Sequence, residues 1–136
     1  MRIAVCSDKL NEIHFSIRGP PGTMFDGGVY HGSIRLPQDF PYNAPSVQLL
    51  SPSGRFTLKK DICINGYTAW HQDTWSPAIT IAAIVRAVRS LFNDIEEHGI
   101  GYDFNPDPAE VEHCKTESTA FVCPQCKMAH ASCFTS

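Results

Sequence analysis

The spacing of glycine and proline in the first half of the sequence places the strongest constraint on the fold. Gly19-Pro20-Pro21-Gly22 and Asp26-Gly27-Gly28 separate segments in which apolar and polar residues alternate. Such alternation is typical of half-buried β-strands, and the glycines and prolines mark the turns between them. The predicted strands cover residues 3–5, 13–17, 29–36 and 46–50. Because the loops joining them are short, the pattern favours an antiparallel meander of about four strands.

The second half of the chain has a helical pattern instead. Apolar residues recur at helical spacing from Ile81 to Phe92, with arginines on the opposite face. Thr80 or Ser76 is the predicted N-cap of this helix. A second helix is predicted from residue 109 to about residue 118, after a capped start at Asn105-Pro106-Asp107-Pro108. Strands followed by helices indicate an α+β fold.

Length, charge and cysteine content exclude several classes of protein. The 136 residues are enough for one domain, and a net charge of -3 with scattered Lys and Arg argues against a nucleic-acid partner. The longest apolar stretch, residues 79–88, contains Arg86 and is shorter than the ~20 residues of a membrane span. Six cysteines without an apolar leader indicate a reducing compartment, so we expect a cytoplasmic protein.

A series of short motifs follows in a fixed order between residues 12 and 92. They are His14-Phe15, Arg18-Gly19-Pro20-Pro21, Phe25-Asp26-Gly27-Gly28-Val29-Tyr30-His31-Gly32, Phe40-Pro41, Pro45-Ser46, Gly54-Arg55-Phe56, Ile62-Cys63-Ile64 and Trp75-Ser76-Pro77-Ala78. In this order and spacing the chain resembles the ubiquitin-conjugating enzymes, most closely their J class. The resemblance implies a UBC-like fold, with a conjugating core over residues 1–120 and a Cys-rich tail over residues 121–136.

The resemblance assigns the catalytic role to Cys63, which would carry ubiquitin as a thioester. A thioester is reactive toward amines because a thiolate is a good leaving group. The flanking residues Ile62 and Ile64 are apolar and supply no base that would promote hydrolysis. The alternative is a buried core cysteine, which the local sequence favours when it is taken alone.

Two further residues are candidates for helping the transfer. Members of the family usually have an asparagine upstream of the cysteine that stabilises the oxyanion. Here Ser53 stands in its place, and its alternative role is that of a turn residue before Gly54; Asn65 is a weaker candidate donor. His71 matches a histidine of the J-class loop and is the candidate base for lysine or hydroxyl acceptors. Its alternative role is that of a solvated loop residue.

The resemblance also implies partners and a location. These are ubiquitin, the ubiquitin-activating enzyme, a ubiquitin ligase and a protein substrate, and no cofactor is expected because ATP is used by the activating enzyme. The matching ligase-binding positions are Tyr42, Ser76, Pro77 and Ala78, where an exposed aromatic stands beside proline-stiffened loops. J-class members are usually anchored in the endoplasmic reticulum membrane and face the cytosol, so a longer, anchored form would act there.

Two features depart from the family pattern or add to it. The first helix of the family and the membrane anchor have no counterpart in this sequence, so a catalytically silent module that binds ubiquitin is the alternative function. The cysteines of the tail form a CxxC pair, Cys123 and Cys126, with His130 and Cys133 after it. These residues are candidates for structural zinc, but the tight spacing favours free thiols, and no metal site is expected. A small zinc-binding adaptor is the third hypothesis.

Overall fold

The computed structural model describes residues 2–5, 11–62, 64, 75–93 and 107–124. Four strands are followed by two helices in this part of the chain. The strands are β1 (Arg2–Val5), β2 (Glu12–Arg18), β3 (Val29–Arg35) and β4 (Ser46–Leu49), and the helices are α1 (Ile81–Ser90) and α2 (Pro108–Thr119).

The strands form one antiparallel sheet in the order β1-β2-β3-β4, as the short turns predict. In the register between β2 and β3, Ile17 lies opposite Tyr30 and Ser16 lies opposite His31. Gly27, in the turn between these strands, has a φ of 94°, a left-handed conformation that glycine adopts without strain. The α+β meander is therefore confirmed.

One face of the sheet is apolar and forms the core with the helices. Cross-strand partners share a face, so Phe15 and Ile17 of β2 lie beside Tyr30 and Ile34 of β3, and all four are fully buried. Phe92 lies at the centre of this cluster. Its ring stacks on Tyr30 with a centroid distance of 4.9 Å and meets Phe25 and Phe56 edge to face. The helices contribute further core side chains, namely Ile84, Val85, Val88 and Val111.

Both helices begin where their capping residues predict. The hydroxyl of Thr80 accepts a hydrogen bond from the backbone N–H of Ala83, at 3.1 Å, and caps α1. The carboxylate of Asp107 caps α2 in the same way, and Pro108 occupies the first turn. Within the described residues, no helix is both long enough and apolar enough to span a membrane.

The opposite face of β2 and β3 differs from the prediction. The alternation of β2 predicts a strand with one solvated face, but the polar side chains on that face are buried as deeply as the core. They are Glu12, His14, Ser16, His31 and Ser33. The segment after α2 reaches this face: the ring of Phe121 lies 5.7 Å from that of His31, and the thiol of Cys123 lies 3.7 Å from His14. The prediction of a solvated face was wrong because the contact that covers it joins residues 109 positions apart, and local alternation does not encode such a contact.

Candidate functional site

The segment that carries the candidate nucleophile is anchored in the core on either side of position 63. The side chains of Ile62 and Ile64 are 0% and 6% exposed. The backbone N–H of Ile62 donates a hydrogen bond of 2.8 Å to the carbonyl oxygen of Val47 in β4. Cys63 itself lies outside the described residues. The geometry therefore holds Ile62 against the edge strand β4 and buries Ile64 in the core, while the role of Cys63 as the nucleophile stays a prediction.

Ser53 lies in the turn before Gly54, which is the alternative role that the sequence allows for it. Its side chain is 1% exposed, and its hydroxyl oxygen accepts hydrogen bonds of 3.1 Å from the backbone N–H groups of both Arg55 and Phe56. Gly54, between Ser53 and Arg55, has a φ of 79°, and a Cβ there would lie 2.9 Å from the side chain of Val111. Glycine is thus required by conformation and by space. Ser53 has a clear structural role in this turn, and its role as an oxyanion donor stays a prediction.

The remaining catalytic candidates come after Cys63 in the sequence. His71 and the weaker candidate Asn65 are both outside the described residues. Their predicted roles are untested by the geometry.

The four candidate ligase-binding residues lie on two exposed loops. Tyr42 is 76% exposed, and Ser76, Pro77 and Ala78 are exposed as well. We call these four residues the docking surface. The ring of Tyr42 is the largest exposed hydrophobic side chain among the described residues, which suits an anchor for a partner.

Trp75 joins the two loops of the docking surface. Its indole Nε1–H donates a hydrogen bond of 2.9 Å to the carbonyl oxygen of Pro41, the residue before Tyr42. Its ring lies 6.2 Å from that of Phe40. Because Trp75 immediately precedes Ser76, this contact sets the position of one loop relative to the other across 34 residues of chain.

Each loop is also held by its own turn. The backbone N–H of Tyr42 donates to the carbonyl oxygen of Asp39 at 2.9 Å. In the second loop the hydroxyl of Ser76 accepts from the N–H of Ala78 at 3.3 Å, and its carbonyl oxygen accepts from the N–H of Ile79 at 3.0 Å. The docking surface is therefore formed before any partner binds, which lowers the entropy lost on association.

Three features of the described residues were missed by the sequence analysis. The first is the hydrogen bond from Trp75 to Pro41, because the sequence gives no partner for the indole of Trp75. The second is Arg55, a fully buried side chain whose Nε donates 3.0 Å to the carbonyl oxygen of Leu91 at the end of α1. The third is a buried group of His14, His31 and Cys123, the one group of described residues with the geometry to hold a metal ion.

Comparison with known proteins places the fold and the motifs in one family. The family model described as ubiquitin-conjugating enzyme matches residues 1–103 of the chain. Human ubiquitin-conjugating enzyme E2 J1 is 39% identical over 123 residues, which cover 90% of this chain and 38% of that protein. Bovine ubiquitin-conjugating enzyme E2 J2 is 36% identical over 91 residues, covering 64% of this chain and 35% of that protein. The chain thus spans little more than a third of these relatives.

Solved structures agree on the fold. A ubiquitin-conjugating enzyme domain of Toxoplasma gondii superposes with a TM-score of 0.62 at 21% identity, covering 88% of this chain and 87% of that one. Human ubiquitin-conjugating enzyme E2 G1 superposes with a TM-score of 0.58 at 24% identity, covering 68% of this chain and 79% of that one. From the matched family model and these relatives, the chain belongs to the ubiquitin-conjugating enzyme family and is similar within it to the J class.

Proposed function

We propose that this chain accepts ubiquitin as a thioester on Cys63 and passes it to an amino group of a protein substrate. In the first step the Cys63 thiolate attacks the activated C-terminal carbonyl of ubiquitin, and the group that the activating enzyme supplied leaves. In the second step a substrate amine attacks the thioester, an amide bond forms, and the Cys63 thiolate leaves. ATP is consumed by the activating enzyme, so this chain needs no cofactor of its own.

The observation that carries the proposal is the family match over residues 1–103, because that range contains Cys63. The buried side chains of Ile62 and Ile64 add to it, since they anchor the backbone on both sides of position 63 in the core. Neither flanking side chain is a base, so nothing adjacent in sequence would promote loss of the thioester to water.

The experiment that tests the proposal is a charging assay. The chain is incubated with activating enzyme, ubiquitin and ATP, and its products are separated with and without a reducing thiol. We expect an adduct that the thiol removes. Cys63→Ala should abolish this adduct, whereas Cys63→Ser should give an oxygen ester that resists the thiol.

Cys114→Ser is the matched control for this assay. Cys114 is a second, buried cysteine on α2, 7% exposed, and the proposal gives it no part in the chemistry. Cys114→Ser should therefore be charged as the unmodified chain is. Charging that survives Cys63→Ala, or that is lost with Cys114→Ser in a folded protein, contradicts the proposal.

The docking surface is proposed to receive the ubiquitin ligase. An exposed aromatic ring, two loops locked by their own turns and the Trp75–Pro41 hydrogen bond support this assignment. A ligase bound there would bring the substrate toward the thioester without any rearrangement of the two loops.

His71 and Ser53 are proposed to act on the second step. His71 would take the proton from the incoming nucleophile, which would make hydroxyl acceptors usable as well as amines. If so, His71→Ala slows discharge to serine or threonine and leaves charging intact; equal discharge to hydroxyl acceptors would remove this role. Ser53→Ala should slow discharge by ~10²-fold if its hydroxyl stabilises the oxyanion.

The second candidate function is a catalytically silent ubiquitin-binding module. The burial of Ser53 favours it, because a hydroxyl donor that is 1% exposed is poorly placed to meet a substrate. The charging assay separates the two functions. A folded chain that binds ubiquitin but forms no adduct on Cys63 would be such a module.

A further inference from the structure

The polar face of the sheet carries a cluster of side chains that the proposed transfer chemistry does not use. His14 of β2 and His31 of β3 lie diagonally across the strand pair, since His31 is opposite Ser16 and His14 is opposite Ser33. Diagonal neighbours on one face are within reach of each other's long side chains. Cys123 approaches from the segment after α2, and all three side chains are 0% exposed.

The three side chains bring their ligand atoms together. His14 Nδ1 lies 2.8 Å from His31 Nε2 and 3.7 Å from the Sγ of Cys123. One ligand atom from each of the three residues lies within 4.8 Å of the other two. Around a tetrahedral zinc, with bonds of about 2.0 Å to nitrogen and about 2.3 Å to sulfur, ligand atoms are separated by roughly 3.3–3.6 Å. The observed distances fit an ion after shifts of about 1 Å, within the range of side-chain rotation.

A carboxylate orients one of the two imidazole rings. The Oε1 of Glu12 lies 3.2 Å from the Nε2 of His14, and Glu12 is 3% exposed. A carboxylate only accepts, so Nε2 donates and the lone pair of Nδ1 faces His31 and Cys123. Metal-binding histidines are commonly fixed in this way, with the second ring nitrogen donating to a carboxylate.

The contacts of the cluster are easier to explain with an ion than without one. In the metal-free arrangement, His31 Nε2 and the Cys123 thiol both approach the single lone pair of His14 Nδ1. A cation between them turns all three atoms into ligands. The hydroxyl of Ser16, on the same face, is buried and has no hydrogen-bond partner among the described residues, as expected beside a group that the polypeptide does not supply.

We propose that His14, His31 and Cys123 bind a structural zinc ion. Two imidazoles and a thiolate are ligands that zinc prefers, and binding releases the thiol proton of Cys123 to solvent as the Zn–S bond forms. All three side chains are fully buried, which indicates a structural ion, because a catalytic zinc keeps a position open to substrate. Cys126, the second thiol of the CxxC pair, lies outside the described residues, so the proposal is stated for three ligands.

This site differs from the zinc hypothesis that the sequence allows. The sequence places the ion within the tail, on cysteines and a histidine of residues 123–133. In the structure the candidate ligands are instead His14 and His31 of the strands together with Cys123, which contacts His14 although it lies 109 residues away in the sequence. An ion there would fasten the segment after α2 over the polar face of β2 and β3. The proposal is independent of the transfer activity.

Metal content and coordination test the proposal directly. The full chain is prepared in zinc without chelator, desalted, and its zinc measured against protein concentration; we expect one zinc per chain. X-ray absorption at the zinc edge should show a mixed shell that includes imidazole nitrogen. A folded chain without zinc, or zinc with a sulfur-only shell, overturns the proposal, the latter in favour of a site in the tail.

Substitutions of the three residues identify the ligands, and a Glu12 variant tests the site without removing any ligand. Cys123→Ser and His31→Asn should each lose zinc, whereas Cys114→Ser and His113→Asn, a buried cysteine and an exposed histidine of α2, should keep it. Glu12→Gln keeps the shape of the side chain and should weaken zinc affinity by about 10–100-fold in a chelator competition. Zinc retained by Cys123→Ser or by His31→Asn would overturn the assignment of ligands, and unchanged affinity in Glu12→Gln would overturn the role of the carboxylate.

Discussion

Trp75 donates a hydrogen bond of 2.9 Å from its indole nitrogen to the carbonyl oxygen of Pro41. This bond connects the loop of Tyr42 with the loop of Ser76, Pro77 and Ala78, the two halves of the docking surface. If a ligase binds both loops at once, Trp75 acts as a positioning residue, because it holds the two loops in one arrangement.

Replacing Trp75 by phenylalanine should affect the discharge that a ligase stimulates but not the transfer reaction itself. Trp75→Phe keeps an aromatic ring near Phe40 but removes the N–H donor, so the free energy of unfolding should fall by about 0.5–1.5 kcal/mol. Ligase-stimulated discharge should slow because the two loops are no longer held in one arrangement. Denaturant unfolding and discharge with and without ligase measure the two effects. Slower discharge in the absence of ligase would show that Trp75 acts elsewhere.

Replacing Tyr42 by alanine should affect the ligase alone. The side chain is 76% exposed, so its loss should change the free energy of unfolding by less than about 0.5 kcal/mol. As an anchor in the interface it should contribute more than about 1 kcal/mol to ligase binding, which is roughly a fivefold loss of affinity or more. Titration of the ligase into the uncharged chain measures this. Asn43→Ala, an exposed neighbour in the same loop, is the control; if both variants bind as the unmodified chain does, the ligase binds elsewhere.

Tyr30 should make stability depend on pH in the alkaline range. Burial raises the pKa of the Tyr30 phenol well above its usual value, with the charges of Cys114 and Glu112 acting in the same direction. Above about pH 10 the unfolded chain therefore loses this proton while the folded chain keeps it. The unfolded state then binds fewer protons, so the free energy of unfolding falls as the pH rises.

Ultraviolet titration of phenolate formation checks this effect. Tyr30 should form phenolate only with alkaline unfolding. Tyr30→Phe should remove that delayed step and the part of the alkaline destabilisation that it causes. It should also lower stability by about 1 kcal/mol at neutral pH, because the Tyr30 hydroxyl donates to the carbonyl oxygen of Phe25 at 3.2 Å. A phenolate signal of the folded chain that Tyr30→Phe removes below the pH of alkaline unfolding would contradict the assignment.

The sequence predicts the elements well because their signals are local. Alternation in β2 and β3, the Gly-rich turn between them, and the capping residues Thr80 and Asp107 all act within a few positions of the structure they specify. The same holds for the exposure of Tyr42, since prolines on either side keep it in a loop.

What the sequence does not predict is long-range. The burial of His14 and His31 depends on Phe121 and Cys123, and the link between the docking loops depends on an indole reaching across 34 residues. No periodicity encodes either contact. Ser53 shows a third case, because the same hydroxyl suits a turn or an oxyanion, and only its two backbone bonds reveal the turn.

The most direct test of the account is the intact mass of the chain after charging. With activating enzyme, ubiquitin and ATP, the account predicts a species heavier by one ubiquitin less one water, which peptide mapping places on Cys63. Reducing thiol should return the original mass, and in a separate charged sample the addition of a ligase and lysine should discharge the thioester. A folded, zinc-replete chain that gains no mass, or that gains it at a lysine or at another cysteine, would contradict the central claim.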